Sequence, residues 1–183
     1  GLVRSEAQII AKVESHSGVN NLSEILEVAD AILLDRGDLA REVPLEELPF
    51  YQKQIIQQAN AKQVPVYVAT NLLESMVSSF RPTRAEVNDV INTLLDGADG
   101  LVLAAETAIG KHPVQCARMI KALIQQFEDR TKSPVHLSHV PLSSGLIAPH
   151  GGKLVNRVLA DYDTKEFKDL NIRKTAMVIL AVF

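Results

Sequence analysis

The chain has 183 residues, of which 46% are hydrophobic and 22% are charged, and its formal net charge is −3. This balance is typical of a globular protein with a hydrophobic core. The small negative charge gives no electrostatic basis for binding nucleic acid or an anionic membrane, so we expect small molecules or other proteins as partners. The single cysteine, Cys116, excludes a disulfide framework within one chain, which indicates a reducing compartment such as the cytoplasm.

Four short apolar runs, each followed by a segment with helical periodicity, predict the order βαβαβαβα. The runs are typical of parallel strands that are buried on both faces. The predicted strands are 9–14, 31–38, 64–70 and 100–106, and the predicted helices are 22–29, 45–62, 84–95 and 114–130. Thr83 and Glu86 have the spacing of a helix capping box, and Pro113 suits the first turn of the last helix.

Strands that alternate with helices indicate a parallel sheet, either doubly wound or closed into a β/α barrel. Neither a GxGxxG nor a GxxxxGK[ST] phosphate loop is present. After residue 130 the sequence becomes rich in Ser, Pro, His and Gly, which predicts a domain boundary between 1–130 and 131–183. The last apolar run, 176–183, is too short to span a membrane and is interpreted as a buried strand. The first residues lack the features of a signal peptide and begin without Met, so we expect the chain to be part of a larger protein.

Polar residues close the predicted strands. Chemistry in β/α barrels is assembled at the carboxyl ends of the strands, and the residues at these ends are Glu14, Asp38, Thr70 and Glu106. An ionised carboxylate is costly to bury unless it is paired or binds a metal. Two carboxylates from adjacent strands, Glu14 and Asp38, make a suitable oxygen site for Mg²⁺ or Mn²⁺.

Each of these residues also has a structural interpretation. The side chains of Lys12 and Glu14 leave the strand on the same face. They form either a buried salt bridge or part of a catalytic set, and the presence of Asp38 favours the catalytic set. Arg36 could simply pack against a neighbouring carboxylate, and Thr70 could satisfy a backbone group. Glu106 either meets a ligand or caps the following turn through Thr107. Cys116 is interpreted as a small buried apolar residue.

Long strings of the sequence resemble the pyruvate kinase family. They include IIAKVESHSGVNNLSEILEVAD, LLDRGDLAREVP, RPTRAEVNDV and ETAIGKHP, and the resemblance runs over about 9–130. It implies the α/β fold of a (β/α)₈ TIM barrel, of which this chain holds the last four β/α units plus a short C-terminal tail outside the barrel. It also implies phosphoryl transfer from phosphoenolpyruvate to ADP, giving pyruvate and ATP.

The resemblance assigns roles to individual residues. Glu14 and Asp38 hold the divalent cation, Mg²⁺ or Mn²⁺, and Lys12 neutralises the transferring phosphoryl group. The backbone N–H groups of Gly37 and Asp38 bind the substrate carboxylate, and Thr70 protonates the enolate. The family ligands of K⁺ lie in the other half of the barrel, so this part alone is expected to be inactive. Open sheet edges and the RPTRAE segment, which lies near the family's subunit interface, predict a homo-oligomer.

The sequence departs from the family at several positions near the strand ends. The family usually has Ala, Gly, Gln and Ser-Gly where this chain has Asp35, Ala40, Asn71, Ala104 and Ala105. Asp35 adds a negative charge that could repel an anionic substrate or pair with Arg36. These departures leave two alternatives open: a non-catalytic pyruvate kinase-like module, or another Mg²⁺-dependent enzyme acting on pyruvate or its enolate.

The tail has a different resemblance. The string SGLIAPHGGKLVNRVL is similar to the opening of ATP sulfurylase, so the non-catalytic alternative is a module fused to a sulfurylase. No QxRNPxH motif of that family occurs in the chain, so its catalytic centre is not expected here. His150, Gly151 and Gly152 are interpreted as a turn.

Overall fold

The computed structural model describes residues 8–131 and the backbone of a short strand at 178–181. The sheet has five strands in the order β1-β2-β3-β4-β5, and the first four are parallel to their neighbours. The strands are β1 (Ile10–Val13), β2 (Ala31–Asp35), β3 (Val66–Ala69), β4 (Gly100–Leu103) and β5 (Val178–Ala181). The alternation of parallel strands and helices is therefore confirmed for the first four units.

Seven α-helices and one 3₁₀-helix connect the strands within the described residues. The α-helices are α1 (His16–Asn20), α2 (Leu22–Val28), α3 (Arg36–Leu39), α4 (Leu48–Ala61), α5 (Arg84–Leu95), α6 (Ala105–Ala108) and α7 (Pro113–Thr131), and the 3₁₀-helix is Glu74–Val77. None of them is long and apolar enough to cross a membrane. The four predicted helices correspond to α2, α4, α5 and α7, whereas the short helices α1 and α6 and the 3₁₀-helix were not predicted.

Local capping explains where two of these helices begin. The Thr83 hydroxyl accepts a hydrogen bond from the Glu86 N–H at 3.2 Å, and the Glu86 carboxylate accepts one from the Thr83 N–H at 2.6 Å. The predicted capping box at the start of α5 is thus confirmed. Helix α7 begins at Pro113, as predicted, because proline lacks the N–H that the first turn cannot use.

The helices cover the sheet with two apolar clusters. One cluster lies around β1, β2 and β3 and contains buried side chains of α2 and α4, such as Leu26 and Ile55. The other lies around β4 and contains buried side chains of α5 and α7, such as Leu94 and Ile120. Their burial holds the four strand ends in fixed positions at one edge of the sheet.

The strands are shorter than predicted, and the second one ends for a clear reason. The predicted strand 31–38 stops at Asp35, because the Asp35 side chain accepts hydrogen bonds from the N–H groups of Gly37 and Asp38 and caps helix α3. Glu14, Thr70 and Glu106 likewise follow their strands rather than end them. Apart from Lys12, which lies within β1, the residues of the predicted site therefore lie in the first turns after the strands.

The sheet of the described strands has two open edges, as predicted, but β5 rather than β4 lies at one of them. β5 pairs antiparallel with β4, in the register Gly100 opposite Ala181 and Leu103 opposite Val178. The strand predicted within 176–183 is thus found at 178–181, although its burial lies outside the described side chains. Among the described strands, β1 and β5 each have one unpaired edge. The predicted boundary at residue 131 stays a prediction, because 132–177, including the predicted turn at His150, lie outside the described residues.

Candidate active site

The candidate site lies where β1, β2 and β3 end at the same edge of the sheet. In the strand register Val13 is opposite Leu34, and Asp35 is opposite Ala69. Residues that follow these strands are consequently neighbours, as in other proteins built from parallel β/α units. The structure brings together five residues singled out in the sequence: Lys12, Glu14, Gly37, Asp38 and Thr70.

Lys12 lies at the centre of an acidic cluster. Its ammonium contacts the Glu14 carboxylate, and its Nζ is 2.8 Å from Asp35 Oδ2 and 3.1 Å from Asp38 Oδ2. The side chains of Lys12, Glu14 and Asp38 are 43%, 41% and 41% exposed. The predicted Lys12–Glu14 pair is confirmed as a salt bridge, but one that is half exposed rather than buried. Side chains with this much access to solvent are able to change partners.

The charges of the cluster do not balance. Three carboxylates surround one ammonium, and the only other cation recorded among the described ion pairs of the cluster is Arg41, whose Nη1 is 3.4 Å from Asp38 Oδ1. Hydrogen bonds to Asp35 and Glu14 raise the pKa of Lys12 above its ordinary value. Burial alone would raise the pKa of Asp35, but hydrogen bonds from Lys12, Thr70 and the Asp38 backbone outweigh burial and lower it. Lys12 is therefore charged, and Asp35 is a carboxylate.

Asp35 makes more contacts within the site than the sequence indicated. Its Oδ1 accepts hydrogen bonds from Gly37 N at 3.1 Å, Asp38 N at 3.3 Å and Thr70 Oγ1 at 3.0 Å. The suggested pairing of Asp35 with Arg36 is wrong, because the Asp35 carboxylate bonds Lys12 instead. An aspartate immediately before a short helical turn is a common N-cap, and this signal could have placed Asp35 beside Gly37 and Asp38.

Arg36 is a buried positioning residue. Its Nη1 is 2.8 Å from Asp89 Oδ2 and 3.2 Å from Gln52 Oε1, while its Nη2 donates to the carbonyl oxygens of Thr70 at 3.0 Å and Asn71 at 3.2 Å. The interpretation of Arg36 as the packed partner of a carboxylate is confirmed. Sequence reasoning missed the carboxylate itself, since Asp89 is distant in sequence and belongs to α5.

Thr70 has an unusual backbone conformation. Its φ is 68° and that of Asn71 is 53°, so both residues lie in the left-handed region. Such a conformation is rare for a β-branched residue and persists where surrounding contacts over-determine it, commonly at functional sites. The two hydrogen bonds from Arg36 supply such contacts. They turn the Thr70 hydroxyl toward Gly37, whose N–H donates to Thr70 Oγ1 at 2.7 Å.

Glu106 is not part of this cluster. It is 1% exposed, and its carboxylate accepts hydrogen bonds from Leu73 N at 3.0 Å and Ala104 N at 2.9 Å. Glu106 does not cap the following turn through Thr107 as suggested, because the Thr107 hydroxyl donates to the Ala104 carbonyl oxygen. Cys116 is fully buried, and burial raises the pKa of its thiol to about 11. The interpretation of Cys116 as a small buried residue is confirmed, and Glu106 has a structural role, although not as a cap through Thr107.

The acidic cluster has the chemistry of a divalent-cation site. Glu14, Asp35 and Asp38 each offer a carboxylate oxygen, and these three oxygens lie within 4.8 Å of one another. Mg²⁺ and Mn²⁺ prefer oxygen ligands of this kind. The Lys12 ammonium already lies among these oxygens, so the arrangement suits a cation. The donor set fits the ion, provided that the half-exposed Lys12 side chain moves aside.

Together, the fold and the cluster define a parallel β/α protein with a charged site at the carboxyl ends of its strands. The family model described as pyruvate kinase, barrel domain, matches residues 2–117. The chain therefore belongs to the pyruvate kinase barrel-domain family. The pyruvate kinase of Mycobacterium intracellulare is 47% identical over 133 residues, which are 73% of this chain and 28% of that protein.

Two further relatives show how widely the similarity extends. The pyruvate kinases of Thermotoga maritima and Thermococcus litoralis are 44% and 46% identical over 125 residues, which are 68% of this chain in each case. The matched residues are 27% and 26% of those two proteins. The chain thus spans less than a third of the length of the relatives it matches.

Proposed function

We propose that the chain is part of a pyruvate kinase-type enzyme, which transfers a phosphoryl group from phosphoenolpyruvate to ADP and gives pyruvate and ATP. The observation that carries this proposal is the convergence of Lys12, Glu14 and Asp38 at the carboxyl ends of two adjacent strands, beside the Thr70 hydroxyl. Phosphoryl transfer requires mainly positioned positive charge around the reacting oxygens. A half-exposed cluster of one cation and several oxygen ligands supplies the parts of such a site.

Each residue has a proposed role in this reaction. Glu14 and Asp38 would hold Mg²⁺ or Mn²⁺, which when bound offsets negative charge on the transferring group. Lys12 would neutralise the phosphoryl oxygens from the opposite side. The N–H groups of Gly37 and Asp38 would bind the carboxylate of the substrate, and the Thr70 hydroxyl would deliver a proton to the enolate carbon. Arg36 acts through Thr70, because it holds the backbone on which the hydroxyl is carried.

The proposed architecture is the last four β/α units of a (β/α)₈ barrel. In a closed barrel the outer edges of β1 and β4 would each pair with a strand of the other half. β5 pairs with the outer edge of β4, so closure of the barrel requires β5 to leave that edge. The unpaired edge of β1 is also a reason to propose association between subunits, for which exposed edges are templates.

The remaining parts of the proposal concern ligands and location. The nucleotide ADP or ATP and any K⁺ ion would bind with residues outside this chain. The proposed location is the cytoplasm, where a reducing environment keeps Cys116 a thiol.

A second candidate is a non-catalytic module joined to a sulfurylase-like segment that begins in the tail. Asp35 favours it, since its carboxylate bonds the same backbone N–H groups that a substrate carboxylate would need.

Titration of the full-length protein with Mn²⁺, followed by water proton relaxation, tests the metal site. Asp38→Ala should weaken Mn²⁺ binding by about 100-fold or more, because even the loss of an outer-shell partner costs 10–100-fold. Glu27→Gln is the matched control, as Glu27 is an exposed carboxylate that pairs with Lys62. Unchanged relaxation enhancement in Asp38→Ala would remove the metal assignment.

A coupled assay for pyruvate tests the reaction. The full-length protein should form pyruvate from phosphoenolpyruvate and ADP, whereas the 183-residue chain alone should give only trace turnover. Preorganised charge in a closed site needs the other half of the barrel. Mn²⁺ binding without any pyruvate from the full-length protein would favour the non-catalytic module.

A further inference from the structure

Four donors of the candidate site converge on one side chain, that of Asp35. Gly37 N, Asp38 N and Thr70 Oγ1 lie 3.1, 3.3 and 3.0 Å from Asp35 Oδ1, and Lys12 Nζ lies 2.8 Å from Asp35 Oδ2. Asp35 is 7% exposed. Two backbone amides, one hydroxyl and one ammonium around a carboxylate form an anion-binding arrangement. Within it the Gly37 N–H is shared with Thr70 Oγ1 at 2.7 Å, and the Thr70 hydroxyl is shared with the Ala69 carbonyl oxygen at 2.7 Å. In this chain the anion of that arrangement is covalently part of the protein.

The same donors are those that a carboxylic-acid substrate would use. The proposed function assigns the substrate carboxylate to the N–H groups of Gly37 and Asp38, beside Thr70 and Lys12. Two carboxylates cannot accept these hydrogen bonds at once, and like charges at such short separations repel each other. An incoming carboxylate must therefore displace Asp35 and leave it without three of its hydrogen bonds.

We propose that Asp35 is an internal competitor of carboxylate ligands, which occupies the substrate-carboxylate position and weakens the binding of any carboxylic acid there. This inference rests on the proposed function, since it assigns the same position to the substrate. A divalent cation does not relieve the competition. The oxygens of Asp35, Glu14 and Asp38 lie within 4.8 Å of one another, so a cation held by Glu14 and Asp38 also attracts Asp35.

Isothermal titration of the full-length protein with oxalate, a small dicarboxylate, tests the competition. Asp35→Ala removes the internal carboxylate and should tighten oxalate binding about tenfold or more, which corresponds to about 1.4 kcal/mol. Asp35→Asn removes the charge but keeps an oxygen that accepts from Gly37 and Asp38, so its affinity should lie between those of the unaltered protein and Asp35→Ala. Glu27→Gln, which removes a distant exposed carboxylate, should change nothing.

Two patterns of affinity would overturn the inference. One is equal oxalate affinity of Asp35→Ala and the unaltered protein, both with Mn²⁺ and in metal-free buffer. The other is equal tightening in Asp35→Ala and Asp35→Asn, which would mean that charge alone acts and that no position is occupied. The Mn²⁺ titration is separate, so loss of Mn²⁺ binding in all variants counts against the proposed metal site, while the metal-free oxalate comparison still decides the role of Asp35.

A second measurement holds even if Asp35→Ala does not fold. In the unaltered protein labelled with ¹⁵N-glycine, the amide resonance of Gly37 should shift in step with oxalate binding, because a bound carboxylate replaces the Asp35 oxygen at that amide. Saturation with oxalate that leaves the Gly37 resonance unchanged would show that the ligand binds without displacing Asp35, and would overturn the inference.

Discussion

Acidic side chains follow the strands at two places on the same edge of the sheet, in opposite surroundings. Glu14 and Asp38, after β1 and β2, are each 41% exposed and share the Lys12 ammonium. Glu106, after β4, is 1% exposed and accepts hydrogen bonds from two backbone N–H groups. A solvated carboxylate can exchange a mobile partner for a ligand. A buried carboxylate that did so would leave the amides that it bonds without an acceptor. Exposure and partner therefore separate the acids that we propose to bind a metal from the structural acid.

The largest effect expected from this comparison is on stability. Glu106→Ala should lower the free energy of unfolding of the full-length protein by about 3 kcal/mol, because it leaves the buried Leu73 N–H and the half-buried Ala104 N–H without acceptors. Glu14→Ala should change it by no more than about 0.5 kcal/mol, since an exposed ion pair contributes little. Urea unfolding monitored by circular dichroism measures both. Equal losses in the two variants would break the comparison.

The next effect concerns Arg36, which links the turn after β3 to helix α5. Arg36→Lys should cost about 2 kcal/mol, because an ammonium cannot reproduce the fork that bonds Asp89 and the carbonyls of Thr70 and Asn71. Arg41→Lys is the matched control, as Arg41 is 81% exposed, and should be neutral. If the Arg36 and Arg41 variants unfold at the same urea concentration, Arg36 does not stabilise the Thr70 backbone.

A third acidic residue, Glu86 of α5, extends the comparison through the pH dependence of the free energy of unfolding. Its carboxylate accepts hydrogen bonds from Ser75 and Thr83. Burial alone would raise its pKa, but these hydrogen bonds outweigh burial and lower the pKa below its ordinary value of 4.5. The carboxylate therefore stabilises the fold above about pH 4.5, and this contribution is lost as the pH falls through the folded-state pKa.

The matching variant is Glu86→Gln. It should cost about 1 kcal/mol at pH 7, where the carboxylate is lost, and less at pH 3, where the unaltered protein is increasingly protonated. Urea unfolding at the two pH values measures the difference. A loss that stays constant or grows between pH 7 and pH 3 would contradict the assignment.

The sequence was sufficient for the elements whose signals are local. Apolar runs predicted β1 to β4, and helical periodicity predicted α2, α4, α5 and α7, because both signals arise from the residues of each element alone. The predicted burial on both faces is wrong for β1, in which Ile10 is 49% exposed and only Val13 is buried. The Thr83–Glu86 capping box was predicted for the same reason. The pairing of β5 with β4 joins segments that are far apart in the chain, so no local pattern indicates it.

The site was predicted in composition but not in its contacts. Lys12, Glu14, Asp38 and Thr70 come together as the strand order implies. The partners of Asp35 and Arg36, however, depend on which way each side chain turns at the end of β2, and neighbouring residues turn to opposite faces. Asp35 faces Lys12 and Arg36 faces Asp89, a choice that charge pairing within the sequence could not decide.

The smallest effect expected concerns Lys12 itself. Lys12→Gln leaves three neighbouring carboxylates without their ammonium, and their repulsion should lower the free energy of unfolding by less than about 1 kcal/mol because the cluster is largely solvated. Mg²⁺ should restore this loss, since a cation bound by the same oxygens replaces the missing charge. NaCl at equal ionic strength should restore less, because it screens the carboxylates without binding them.

Lys53→Gln provides the control for this experiment, because Lys53 pairs with Asp96 away from the acidic cluster. Removing it should also cost little, but Mg²⁺ should not repair the loss, as a single carboxylate offers too few ligands to hold the ion. Thermal unfolding of both variants with MgCl₂ and with NaCl separates the two cases. If Mg²⁺ stabilises both variants equally, the ion acts on the whole surface and the half-exposed cluster is not a cation site; if it stabilises Lys12→Gln alone, the cluster binds a cation wherever its own lysine is absent.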